Sequence, residues 1–111
     1  MTTAESMVVD WDARSRPGPV GGVVAADAQG AQLSAARYVL EPGVVVPEHS
    51  HPSEEFGQVL RGGLELTVAG ATETLAAGAA FLIPSDVAHS CRAGAEGCEL
   101  LECYAPPRSP R

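Results

Sequence analysis

The chain holds three histidines, and two of them stand on alternate positions in the stretch His49-Ser50-His51-Pro52-Ser53-Glu54-Glu55. Side chains two apart on an extended strand share a face, so this spacing aims both imidazoles at one point. If the turn-prone Pro52-Ser53-Glu54 link reverses the chain, Glu55 opens the neighbouring strand and adds an oxygen ligand there. Strand parity favours Glu55 over Glu54. The third histidine, His89, begins another extended run after Pro84-Ser85-Asp86 and completes the set. Three neutral imidazoles and one carboxylate suit a single divalent transition metal ion, whether Zn, Ni, Fe, Mn, Co or Cu, better than Ca or Mg, which prefer all-oxygen shells. Four protein ligands on an octahedral ion leave two positions open, as in a catalytic or ligand-binding centre rather than a closed structural one.

A second group lies in Leu100-Leu101-Glu102-Cys103-Tyr104, where alternation puts Glu102 and Tyr104 on one face. A carboxylate in an otherwise apolar strand needs a reason, because burying it unpaired is costly. Facing the interior, Glu102 is a candidate general base with a pKa raised by desolvation, and Tyr104 a proton donor or orienting group. Arg108, or Arg37 and Arg61 from inner strands, would hold a substrate carboxylate or phenolate. Cys91 shares the parity of His89, which leaves it either a pocket thiol or a small apolar core residue.

The elements that must position these groups read as strands. Short apolar or alternating runs recur at 20–27, 33–41, 44–49, 55–61, 64–69, 72–76, 79–83, 87–92 and 98–104, the rhythm of an all-β sandwich or barrel. Gly62-Gly63 and Ala69-Gly70-Ala71 read as tight hairpin connections. Residues 1–19 form an N-terminal arm or an irregular lead-in strand, laid against a partner subunit. Residues 20–105 make the barrel domain, and 106–111 a C-terminal tail whose prolines cannot donate into a ladder. At 111 residues one core is affordable, not two.

Composition narrows the partners. A formal charge of -7 argues against nucleic acid, whose affinity rests on positive surface. No apolar run nears the roughly 20 residues of a spanning helix, and no basic segment leads into an apolar one at the N-terminus, so no membrane association and a cytoplasmic location are expected. Cys91, Cys98 and Cys103 form no C-x-x-C pair and are odd in number, which points to reduced thiols. All seven basic residues are arginine, which removes lysine Schiff-base chemistry.

These residues also carry a family resemblance. Gly43, His49, His51, Glu55 and Gly62, with five, one, three and six residues between them, match the first motif of the cupin superfamily without a departure, and Gly78, Pro84, Asp86 and His89 resemble its second. That second motif commonly has Gly where Asp86 stands and Asn at Ala93. The resemblance implies a small antiparallel jelly-roll-like β-barrel with one metal ion in its mouth, often as a homodimer. From Trp11 to Arg108 the chain is similar to the small single-domain cupins of pectin degradation, which convert unsaturated uronates to open-chain keto sugars. The similar features are His49-Ser50-His51-Pro52, Gly57 before Val59-Leu60, and the ending Leu100 to Arg108. By that resemblance the family's acid, aromatic and arginine fall on Glu102, Tyr104 and Arg108, with Glu55 and Glu102 replacing a common Gln and Asp. Polyketide cyclases include similar cupins. The expected activity is non-redox isomerase, lyase or cyclase chemistry on a small-molecule substrate, with a metal-dependent dioxygenase and a non-catalytic ligand-binding cupin as alternatives.

Overall fold

The computed structural model describes residues 7–108, so residues 1–6 of the arm and 109–111 of the tail lie outside the described residues. In chain order the elements are α1 (Trp11–Arg14), β1 (Arg16–Pro17), β2 (Val23–Gln29), β3 (Ser34–Leu40), β4 (Val45–His49), β5 (Glu54–Val68), β6 (Ala71–Ala76), β7 (Ala80–Ile83) and β8 (His89–Ala105). All strand pairings are antiparallel. Ahead of β2, β1 pairs with it antiparallel, and Arg16 meets Asp27 at 2.8 Å.

The period-2 pattern decides which side of each strand is covered. On β2 and β3, Val23, Ala25, Ala36 and Leu40 are buried while Val24 and Val39 face out. β5 and β8 run side by side from Glu54 opposite Ala105 to Val68 opposite His89. Their outer halves serve two different layers. One layer runs β1-β2-β3-β8-β5 with β7 beside the first half of β5; the other sets β4 beside the start of β8 and β6 beside the end of β5. Val23, Leu40, Val59, Leu64, Leu66, Ile83 and Leu100 fill the core between them.

Gly62-Gly63 is not the hairpin that the sequence suggests. It is a bulge within β5, and the runs expected at 55–61 and 64–69 are one strand, as are those at 87–92 and 98–104. The register shifts on either side of Gly62, which pairs with Cys98 and adopts φ +75°, and the neighbour of that partner, Gly97, has φ +82°. A positive φ lets a strand bend without losing its partner, and glycine reaches it without steric cost. A Gly-Gly pair carries the same local signal in a hairpin and in a bulge.

The other expected connection is a true hairpin. Val68 pairs with Ala71, leaving Ala69 and Gly70 as the loop, with φ of 49° and 83°. Two positive φ values define a type I′ turn, in which Asn-Gly is the favoured pair. Ala69→Asn should therefore stabilise the protein by about 1 kcal/mol, near the left-handed penalty of a residue such as alanine. Thermal unfolding followed by circular dichroism should show Tm rising by about 4 °C. An unchanged or lower Tm would contradict this turn geometry.

No helix among the described residues is long and apolar enough to cross a membrane.

Candidate metal centre and its cavity

His49 closes β4 and His89 opens β8, and the two are paired directly across the ladder. His51 lies past the end of β4, so strand alternation is not what brings it in. The connection itself holds it: the His51 carbonyl accepts from the Asp86 backbone N–H at 2.8 Å. Asp86 adopts φ +63°, in the left-handed region where Asp is tolerated better than most residues. The turn thus survives the replacement of glycine there.

The three imidazoles meet. Ring centroids are 4.3 Å apart for His49 and His89, 4.9 Å for His51 and His89, and 5.8 Å for His49 and His51. One nitrogen from each lies within 4.8 Å of the others. Glu55 Oε1 is 3.1 Å from His51 Nε2 and 3.5 Å from His89 Nε2. Glu55 is 3% exposed, whereas Glu54 faces solvent, so the carboxylate at this point is the one that parity favours.

Local hydrogen bonds fix the tautomers. His49 Nδ1 is 2.9 Å from the Pro47 carbonyl, His51 Nδ1 2.9 Å from that of Ser53, and His89 Nδ1 2.9 Å from that of Val87. A carbonyl only accepts, so each Nδ1 carries the proton and donates it, leaving each Nε2 with a bare lone pair. His89 Nε2 is buried without a hydrogen-bond partner, a situation that costs stability unless something fills it. Burial pushes the Glu55 carboxyl up, but the neighbouring His89, Glu102 and His51 side chains outweigh it and hold Glu55 below its ordinary value. Three inward lone pairs and an ionised carboxylate are the donor set of a divalent transition metal ion.

His49, Glu55 and His89 of this cluster line a cavity of about 280 Å³, together with Glu102, Tyr104 and Arg108. Tyr104 donates to Glu102 Oε1 at 2.5 Å, and its ring stands edge-on to His51 at 5.7 Å. Burial, then the negative charge of Glu55, pushes the Glu102 carboxyl well above its usual range. The Arg108 guanidinium lies over the Tyr104 ring, 5.4 Å from its centroid. Ser34 Oγ accepts from the Arg108 backbone N–H at 2.8 Å, and Gln29 Nε2 donates to the Arg108 carbonyl at 3.0 Å. Arg108 Nε is buried without a partner. Much of the remaining lining is apolar: Val23, Leu40, Leu64, Leu66, Phe81 and Leu100.

Three expectations need correction. Arg37 is held by Glu99 at 2.8 Å and Asp12 at 3.2 Å, and Arg61 reaches Glu99 with a side chain 84% exposed; neither lines the cavity. Arg37 has outward parity on β3, whereas Arg61 shares the parity of the buried Val59 and is turned out by the register shift between them. Cys91 does line the cavity, but burial pushes its thiol up to about 12, so it stays protonated and is no nucleophile. Sequence reasoning also missed Tyr38, whose hydroxyl lies 3.1 Å from that of Tyr104. Its inward parity with Ser34, Ala36 and Leu40 on β3 was the available signal.

Residues 36–104 match the family described as "Cupin domain". The chain is 32% identical to Protein SchB of Streptomyces halstedii over 117 residues, spanning all of this chain and 85% of that protein. It is 34% identical to Polyketide synthase CurC of Streptomyces cyaneus over 74 residues, which are 66% of this chain and 48% of that protein. Its fold superposes on KdgF from Halomonas sp. with a TM-score of 0.82 at 21% identity, covering 91% of this chain and 93% of the other. On oxalate decarboxylase of Bacillus subtilis, a protein with Mn(II) centres, the TM-score is 0.78 at 22% identity, covering 85% of this chain and 28% of that one.

Proposed function

The chain belongs to the cupin domain family, and from that premise we propose that it is a metal-dependent enzyme of non-redox isomerase, lyase or cyclase type, acting on an aromatic or polyketide-like ketone. The observation that carries the reading is a carboxyl group, Glu102, held by Tyr104 inside the cavity that His49, His89 and Glu55 line, with His51 beside them in the same cluster. Those four residues would hold the ion, which supplies Lewis acidity to a substrate carbonyl. Glu102 removes a proton from the adjacent carbon. Tyr104 fixes the orientation of that carboxyl, and burial raises its pKa, which makes the carboxylate a stronger base. Arg108, with its unpartnered Nε, receives a phenolate or carboxylate oxygen.

The lining supports a ring ketone over a uronate. A sugar acid would press several hydroxyls against Val23, Leu40, Leu64, Leu66 and Leu100, and each hydroxyl buried without a partner costs about 1–3 kcal/mol. A fused-ring ketone places its apolar edge there at no such cost. The polyketide synthase name of one relative points the same way. In this reading the partner is a small molecule, the assembly a homodimer and the setting the cytoplasm.

The test is deuterium exchange at the acetyl group of 2-acetonaphthone, followed by NMR in D₂O with zinc-loaded protein under anaerobic conditions. Loaded protein should accelerate exchange, and Glu102→Gln should keep its zinc while losing about a hundredfold of the rate, the lower range for one acid-base group. Equal rates for the parent and Glu102→Gln would remove Glu102 from the chemistry. Activity that requires and consumes oxygen would replace this reading with a dioxygenase.

A further inference from the structure

Tyr38 has no part in the chemistry above. It and Tyr104 are the two tyrosines of the chain, they sit on the inner sides of β3 and β8, and their hydroxyl oxygens are 3.1 Å apart. The protons in this pair can be counted. Tyr104 has one, and it goes to Glu102 Oε1. The contact between the two phenols therefore needs Tyr38 as donor, since each phenol carries a single O–H. As the base of the reaction proposed above, Glu102 is ionised and its oxygens only accept, which fixes Tyr104 as the donor in that contact.

With its proton spent, the Tyr38 oxygen has only lone pairs to offer the cavity that it lines. The inward positions flanking it on β3, Ala36 and Leu40, and those paired with it, Ala25 on β2 and Leu100 on β8, have no polar side-chain atom. We infer that Tyr38 is the specificity-determining residue of this cavity, its oxygen accepting a hydrogen bond from a hydroxyl of the ligand. The ligand class is then a ring ketone bearing an O–H group remote from its carbonyl. An analogue lacking that group leaves the Tyr38 lone pairs unmet, and sites built to pair a hydroxyl reject such analogues. The inference rests on the aromatic-ketone reading of the cavity.

The experiment is equilibrium binding of 6-hydroxy-2-acetonaphthone and 2-acetonaphthone to the zinc-loaded protein. The parent should prefer the hydroxy compound by about tenfold, the size of one hydrogen bond. Tyr38→Phe should bind both alike. Tyr104→Phe provides an independent arm: it frees the Tyr38 proton, so 6-methoxy-2-acetonaphthone, an acceptor at the same position, should gain on the hydroxy compound. That arm decides the matter if Tyr38→Phe does not fold. A preference that persists in Tyr38→Phe, or a parent that binds both ketones equally, overturns the role of Tyr38 alone. A parent that binds neither ketone overturns the aromatic-ketone reading with it.

Discussion

His51→Ala is expected to lower affinity for a divalent transition metal ion by at least about a hundredfold and to abolish activity, while the barrel stays folded. Loss of a partner that merely orients a ligand already costs 10–100-fold, so loss of the ligand itself costs no less. His51 is also the imidazole nearest Glu55 by hydrogen-bond distance, at 3.1 Å, so its removal strips one donor and loosens a second. The fold should survive because the bond that ties this loop to Asp86 uses the His51 backbone carbonyl, which alanine retains. Metal content after gel filtration and calorimetric titration measure the effect. Glu54→Ala is the control: its side chain faces solvent and should leave the affinity unchanged. Stoichiometric metal in His51→Ala would remove this cluster as the centre.

Gly62→Ala should be the most damaging small substitution in the barrel. A Cβ there would stand 2.1 Å from the Gly97 carbonyl oxygen, and φ +75° adds the left-handed penalty. Neither term is relieved by a rotamer change, because the obstacle is backbone. A loss of at least about 3 kcal/mol is expected, enough to leave a domain of this size largely unfolded on mild heating. Gly63→Ala offers the contrast, with its nearest contact at 3.4 Å and no positive φ. Urea unfolding of the two variants side by side would show whether the bulge is required; similar midpoints would mean that it is not.

What the sequence made legible follows from how local each signal is. The strands were readable because inward and outward positions alternate, and the pairing of His49, His51, Glu55 and His89 was readable because motif spacing and parity agree. The merging of four expected strands into β5 and β8 was not readable, since it depends on the close approach of Gly62 to the Gly97 backbone beside its partner Cys98. The cause of the His51 position was also hidden: it comes from the Asp86 backbone, 35 residues away in the chain by their numbers. The outward facing of Arg61 was hidden because it depends on the register shift after Val59, which only the pairing of β5 with β8 reveals. Tyr38 went unread because a tyrosine in an alternating strand looks like core until a second phenol is found beside it.

The placement of the Gly62 and Gly97 bends has a consequence for how such a protein can diversify. Glu55 and His89 lie near the free ends of β5 and β8, and so do Glu102 and Tyr104, whereas the two glycines fall well inside those strands. Mutations that retune reactivity and mutations that threaten folding therefore strike different stretches of the same two strands. Lineages can exchange an acid, a phenol or an arginine at the rim and inherit the chassis intact.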